Sequence, residues 1–221
     1  MMMSKTKLTI STINFISNKR IWAPLAPYLT IGTGLLILNN AWIAILGYHL
    51  SIIIILFFAR IKISLKQIYG NKNHNILIIT SILGGFSGLL LYLLWHFLTI
   101  PKDINIYLHN IGLTTALWPY FMAYFAMVNP LLEEYYWRGY LGSNSKWITL
   151  NDLLFSGYHI MVIAGKIGVM WLIIVFIALS LGAWFWRQAN RWNQGLSASI
   201  VSHISGDISV ILAIYFSIIR T

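Results

Sequence analysis

Carboxylates within apolar segments are the first candidates for chemistry in this sequence. The chain has five acidic residues, and three of them, Glu133, Glu134 and Asp207, fall within or at the ends of long apolar stretches. An ionisable side chain is costly in such surroundings and is by default a candidate functional residue. The other two, Asp103 and Asp152, lie in predicted loops, where we expect them to be solvated.

The two adjacent glutamates differ in the partner that helical spacing offers them. Glu134 and Arg138 are four residues apart, so on a helix they lie on one face and can form an ion pair. Glu133 points about 100° away from that face and has no such partner. In a medium of low dielectric, its unpaired carboxylate suits general acid or base chemistry. The alternative interpretation is that both glutamates only cap the end of their helix.

Histidines occur in two further apolar segments. His159 ends the stretch Phe155 to His159, and His203 and Asp207 are four residues apart in another stretch, which puts the latter two on one helical face. The alternatives are a hydrogen-bonded core histidine at 159 and a polar clamp between helices at 203 and 207. The remaining histidines have no carboxylate at helical spacing and are interpreted as packing, interfacial or loop residues: His49, His74, His96 and His109.

The composition indicates that membrane helices position these residues. Of the 221 residues, 58% are hydrophobic and 9% are charged, whereas an average soluble domain has about 25% charged residues. The net charge of +10 is spread over the gaps between apolar runs, which favours a membrane protein over a nucleic-acid-binding one. The absence of cysteine excludes a disulfide framework, a thiolate nucleophile and a thiolate metal site.

Seven apolar segments predict an all-α, polytopic bundle of about seven or eight transmembrane helices. The break between the first two is only Asn39-Asn40, and the small-residue spacing of Gly84 and Gly88 predicts close helix packing. Residues 1–20 are predicted to be a basic cytoplasmic or interfacial segment without a removable signal peptide. The segments are Ile21–Leu38, Ala41–Ala59, Ile76–Ile100, Ile111–Leu132, Leu150–Gly165, Ile167–Trp186 and Leu196–Ile219.

The distribution of Lys and Arg predicts a cytoplasmic N-terminus. In that orientation Glu133 ends an inward-running segment, and His159 and His203 lie two to three turns into segments that begin at the cytoplasmic face. All three elements then converge in one half of the membrane, as a single site requires. The inner loops hold Lys5, Lys7, Lys19, Arg20, Arg60, Lys62, Lys66, Lys72, Arg138, Lys146, Arg187 and Arg191, and the outer loops only Lys102, Lys166 and Arg220.

These three elements resemble the signature of the CAAX-protease and bacteriocin-processing family of intramembrane proteases, also called the Abi family. That family is marked by Glu-Glu-x-x-x-Arg, Phe-x-x-x-His and His-x-x-x-Asn or Asp, each on a different transmembrane helix. Here the motifs stand in the same order, as Glu133 to Arg138, Phe155 to His159 and His203 to Asp207. The resemblance covers about residues 120 to 215 and implies a protease-like core at about 111–219 within a transmembrane domain of residues 21–221.

The resemblance also implies a role for each motif residue. Glu133 and His159 would activate the attacking water, and His203 and Asp207 would stabilise the oxyanion. An ionised carboxylate only accepts hydrogen bonds, so Asp207, in the place of an asparagine, would orient or charge His203 or act in protonated form. Structural support would come from Glu134, Arg138 and Phe155.

No cofactor is expected from this resemblance, because the family is generally viewed as metal-independent. Two histidines and a carboxylate nevertheless satisfy the stoichiometry of a zinc site. Their spacing differs from the paired i,i+4 histidines that are usual when one helix holds zinc.

The resemblance favours an endopeptidase that acts on a membrane-associated peptide or protein within the lipid bilayer. The rival hypothesis is a non-catalytic membrane protein of the same fold: an assembly factor, an immunity protein or a subunit of a membrane protein complex. A transporter or proton relay is disfavoured, because it would need carboxylates in both halves of the bilayer. Nucleic acid is not an expected partner, and the sequence leaves the substrate open.

Overall fold

The computed structural model describes residues 22–61, 64–71 and 73–219, and within those ranges the chain is helical and contains no strand. The all-α prediction is therefore confirmed. The predicted basic segment of residues 1–20 lies outside the described residues, as do Lys62, Lys72 and Arg220. The α-helices are α1 (Ala26–Gly32), α2 (Ala41–Phe58), α3 (Leu65–Tyr69), α4 (His74–Leu94), α5 (Ile104–Asn110), α6 (Trp118–Glu133), α7 (Leu150–Ile163), α8 (Val169–Asn193) and α9 (Ser197–Ile219).

Four of these helices, α2, α4, α8 and α9, are long and apolar enough to cross a membrane. The other three predicted segments also form helices, but α6 has 16 residues and α7 has 14. The first predicted segment is divided into a 3-10 turn at Ala23–Leu25, helix α1 and a π-helical turn at Thr33–Ile37. The described residues thus contain fewer helices of full spanning length than the seven apolar segments predicted.

The predicted break between the first two apolar segments is confirmed at Asn39-Asn40. Asn39 adopts a left-handed backbone conformation with φ 47°, which an asparagine tolerates better than most residues. Asn40 then caps α2, because its side chain accepts a hydrogen bond from the Ile43 backbone N–H at 3.0 Å. Such an N-cap satisfies a donor that the first helical turn leaves unpaired.

Helix α6 begins later than predicted and changes form at its end. The chain turns at Gly112, with φ 87°, so the helix begins at Trp118 rather than Ile111. Pro130 lies inside the helix and cannot donate a backbone hydrogen bond. Beyond Glu133 the chain continues as a π-helical segment, Glu134–Tyr140, and such segments often accompany functional sites. The two adjacent glutamates therefore stand on either side of the α-to-π junction.

The prediction that Asp152 is solvated was wrong. Its side chain is buried, accepts hydrogen bonds from the Thr149 backbone N–H at 2.8 Å and hydroxyl at 2.9 Å, and pairs with the Arg187 guanidinium at 2.7 Å. A buried carboxylate requires such partners. Arg187 lies on a different helix, so the sequence around Asp152 did not indicate that this residue would be its partner.

Helix α8 extends beyond its predicted end at Trp186, and its polar continuation holds the loop between α6 and α7. Arg187 donates to the backbone carbonyls of Ser143, Ser145 and Trp147. These contacts satisfy the buried polar side chain, and the helix continues to Asn193. The same contacts fix the connection between the segment bearing Glu133 and the helix bearing His159.

Helices α4 and α9 pack against each other at the small residues of α4. A Cβ atom at Gly84 would clash with the Ser202 backbone, and one at Gly88 would clash with the Ser209 backbone. Gly88 N–H also donates to the Ser209 hydroxyl at 3.1 Å. The close packing predicted from the glycine spacing is therefore confirmed.

The described helices bury an aromatic core and expose apolar side chains on the outer surface, as expected for helices in lipid. Tyr48, Tyr136 and Phe155 are almost fully buried and pack between α1, α2, the π-helical segment and α7. By contrast, Phe57 on α2 and Val169 on α8 expose 75% and 74% of their surface. Apolar side chains on the outside suit a hydrocarbon environment, whereas the polar residues face inward.

Candidate functional site

Glu133 lies at the end of α6 with its carboxylate almost completely buried. Its Oε1 atom accepts a short hydrogen bond from the Tyr158 hydroxyl. Its Oε2 atom lies 3.5 Å from His203 Nε2 and has no hydrogen-bond partner among the described residues. One oxygen is thus oriented by the protein, while the other retains its capacity to take a proton.

Glu134 contacts the side chains of Arg138 and His203. Its Oε1 atom lies 3.2 Å from Arg138 Nη1, which confirms the ion pair predicted from the i,i+4 spacing. The same oxygen lies 2.9 Å from His203 Nδ1. Glu134 therefore does more than support the helix end, because it also fixes the orientation of the His203 ring.

Arg138 and Phe155 are in direct contact behind the carboxylates. The Arg138 Cζ atom lies 4.0 Å from the centroid of the Phe155 ring and 4.9 Å from that of Trp186, as in cation–π contacts. The Phe155 ring also lies 4.5 Å from the His159 ring, centroid to centroid. Phe155 thus packs between the first two motifs and links their positions.

The backbone contact of His159 determines which ring nitrogen faces the site. His159 Nδ1 lies 2.8 Å from the Phe155 carbonyl oxygen, and since a carbonyl only accepts, Nδ1 carries the proton. Nε2 then faces the Tyr158 hydroxyl at 3.2 Å. In the neutral ring, Nε2 can accept a proton or a hydrogen bond.

His203 is the residue that joins the third motif to the first. Its ring stacks on Trp186, with centroids 4.7 Å apart. Its Nε2 atom lies 3.5 Å from Asp207 Oδ1, which confirms the predicted contact on one face of α9. The imidazolium form donates from both nitrogens, so His203 can serve Glu134 on one side and Glu133 or Asp207 on the other.

The structure adds polar residues that the sequence analysis did not select. The Tyr158 hydroxyl lies within hydrogen-bond distance of both Glu133 and His159. The Asn129 amide nitrogen lies 3.2 Å from Asp207 Oδ2. Asn129 stands four residues before Glu133 on α6, so helical spacing could have identified it. For Tyr158, its position next to His159 was the available signal.

The remaining four histidines are either exposed or packed in the interior, in agreement with their interpretation as loop or packing residues. His74, His96 and His109 are exposed at helix ends and turns. His49 is buried on α2, and its Nε2 atom lies 3.1 Å from Asn129 Oδ1. Among the described residues, no three His, Cys, Asp or Glu side chains are grouped as ligands of a metal ion.

The part of the chain that carries the site matches a known protein family. Residues 114–209 match the family described as Type II CAAX prenyl endopeptidase Rce1-like, and this range contains all three motifs. No curated protein and no solved structure shows a significant match to the chain. The match covers less than half of the chain, and it supports the resemblance of that part to the CAAX-protease and bacteriocin-processing family. With its four long apolar helices, the protein is an integral membrane protein.

Proposed function

We propose that this protein is an intramembrane endopeptidase of the CAAX-protease type, in which Glu133 activates water to attack a peptide bond of a membrane-associated substrate. The observation that carries the proposal is the buried Glu133 carboxylate, which is oriented through Oε1 by Tyr158 and has its Oε2 beside His203. A carboxylate with one oriented and one available oxygen, held in low dielectric, suits general base catalysis.

In the proposed reaction, Glu133 takes a proton from water while the water oxygen bonds to the carbonyl carbon of the substrate. The carbonyl π electrons move to its oxygen, which becomes an oxyanion. The oxyanion electrons then re-form the carbonyl as the carbon–nitrogen bond breaks and its electron pair leaves with the nitrogen. The nitrogen takes the proton back from Glu133, and the products are a carboxylic acid and an amine. His159, whose neutral Nε2 is an acceptor beside the Tyr158 hydroxyl, assists by accepting a hydrogen bond from the attacking water.

His203 is proposed to stabilise the oxyanion by donating from Nε2. This atom lies 3.5 Å from both Glu133 Oε2 and Asp207 Oδ1, so it stands beside the attacking group. Its other nitrogen contacts Glu134 at 2.9 Å, which fixes the ring. A donor that is already oriented toward developing charge lowers the barrier without reorganisation.

The family description suggests a first substrate to test, a prenylated peptide with a CAAX C-terminus. Purified full-length protein in liposomes would be incubated with a farnesylated CAAX peptide, and the products identified by mass spectrometry. We expect Glu133→Gln and His159→Ala to abolish cleavage while the protein stays folded. The matched controls are Asp103→Asn and His109→Ala, because both residues are exposed. Cleavage retained in the two site variants would refute the mechanism.

A non-catalytic role within a membrane complex is the second candidate, and one contact favours it. The Tyr158 hydroxyl already satisfies Glu133 Oε1 and faces His159 Nε2, so part of the hydrogen-bonding capacity of the pair is used within the protein. In this case a membrane partner would co-purify in unchanged amount with Glu133→Gln and His159→Ala, and no peptide would be cleaved. Loss of the partner in both variants would argue against the scaffold role.

A further inference from the structure

Asp207 leaves the proposed site short of one donor. His203 donates through Nε2, but an ionised carboxylate at position 207 only accepts hydrogen bonds. Placed alone beside an oxyanion, it would repel the negative charge that forms there. An amide group close to Asp207 would meet this need.

Asn129 has such an amide, on a different helix. It is buried on α6, four residues before Glu133 and therefore on the same helical face. Its Nδ2 atom donates to Asp207 Oδ2 at 3.2 Å, while Asp207 Oδ1 lies 3.5 Å from His203 Nε2. Asn129 and His203 thus approach the two oxygens of one carboxylate.

His49 and Tyr124 determine which way the Asn129 amide points. His49 Nε2 lies 3.1 Å from Asn129 Oδ1, and His49 Nδ1 lies 2.7 Å from the Tyr124 hydroxyl. With the proton on Nε2, the ring donates to the amide oxygen and accepts from the tyrosine, so both nitrogens are satisfied. The amide nitrogen must then face Asp207. Of its two N–H groups, one donates to Asp207, and the other makes no hydrogen bond to another described residue.

We propose that Asn129 is a further catalytic residue, whose amide N–H donates to the oxyanion beside His203 in place of the amide that Asp207 lacks. The inference rests on the proposed peptidase function and deepens it. His49 is a positioning residue in this arrangement, because it acts only through the Asn129 amide oxygen.

The test uses the full chain in liposomes and three variants: Asn129→Ala, the exchange Asn129→Asp with Asp207→Asn, and the control Asn105→Ala on the exposed face of α5. Cleavage of the farnesylated CAAX peptide gives kcat and KM. Binding is measured separately for two farnesylated peptide analogues, one with a phosphinate anion and one with a neutral ketomethylene group at the scissile bond.

We expect Asn129→Ala to lower kcat by about 10²–10³-fold, the usual effect of removing one oxyanion donor, with KM little changed. It should weaken binding of the phosphinate but not of the ketomethylene analogue. The exchange variant should keep activity within about tenfold of the unmodified protein, since it moves the amide to position 207 and returns a donor to the oxyanion. If Asn129→Ala does not fold, the exchange variant decides, and its inactivity would overturn the proposal.

The outcomes separate this proposal from the peptidase function. Cleavage by Asn129→Ala equal to that of Asn105→Ala would overturn the role of Asn129 and leave the peptidase intact. If Asn129→Ala weakens binding of the phosphinate and the ketomethylene analogue equally, the role of Asn129 is structural, and the proposal is overturned. If the unmodified protein does not cleave the peptide but binds the phosphinate, and Asn129→Ala does not bind it, the role of Asn129 as a donor is supported and the peptidase function is refuted. If it neither cleaves nor binds, both are overturned.

Discussion

His203 Nδ1 lies 2.9 Å from Glu134 Oε1, so the glutamate that pairs with Arg138 also orients the imidazole of the third motif. The neighbouring Glu133 approaches the opposite nitrogen of the same ring, with Nε2 and Oε2 3.5 Å apart. Two adjacent carboxylates on one segment therefore hold one histidine from two sides. The chain changes from α- to π-helix between these two residues.

Replacing Glu134 by Ala should destabilise the protein. The variant leaves Arg138 and the Nδ1 side of His203 without their carboxylate in a buried site, and breaking a buried ion pair costs about 3–5 kcal/mol. The measurement is the free energy of unfolding by denaturant in detergent micelles. Asp103→Ala is the control, since Asp103 is exposed and such changes stay within about 0.5 kcal/mol. A loss as small as that of the control would contradict the role of Glu134.

Replacing Tyr158 by Phe should slow peptide cleavage. It removes the hydroxyl that orients Glu133 and faces His159, and a hydrogen bond to a charged group is worth about 1.5–3 kcal/mol. If that energy is expressed in the transition state, kcat should fall by about 10- to 10²-fold. Tyr120→Phe is the matched control, because Tyr120 is 69% exposed. Faster cleavage would instead mean that the hydroxyl occupies the place of the water.

Replacing Gly88 by Ala should destabilise the contact between α4 and α9. The added Cβ atom would clash with the Ser209 backbone, and overpacking costs about 1–3 kcal/mol. Gly85→Ala on the same helix is the matched control, since nothing lies within 4 Å of its Cβ position. There Ala should be neutral or should stabilise the helix by about 0.5–1 kcal/mol. Equal unfolding free energies for the two variants would refute the close packing.

Replacing Arg187 by Met should release the loop between the first two motifs. Arg187 contacts Asp152 and the carbonyls of Ser143, Ser145 and Trp147. Each charged hydrogen bond is worth about 1.5–3 kcal/mol, so trypsin cleavage after Lys146, within this loop, should accelerate by about tenfold or more. Exposed Arg60→Met should leave the cleavage rate unchanged. An unchanged rate in Arg187→Met would show that other contacts hold the loop.

The amino-acid sequence by itself was sufficient to predict the contacts that are made within one helix. The Glu134–Arg138 pair and the His203–Asp207 contact follow from i,i+4 spacing, because a helix brings such side chains to one face whatever surrounds it. The helix break at Asn39-Asn40 and the small-residue spacing of Gly84 and Gly88 are equally local signals, although the spacing did not identify α9 as the helix that packs there. The cytoplasmic position of the site, read from Lys and Arg, stays a prediction.

Only the tertiary structure determined which polar side chains on different segments are partners. Tyr158 reaches Glu133, Asn129 reaches Asp207, and Arg187 reaches Asp152, and each pair is brought together by packing between segments far apart in sequence. Spacing along the chain carries no information about such contacts. A buried polar group must still be paired, and for these residues the partner was set by the way the helices pack.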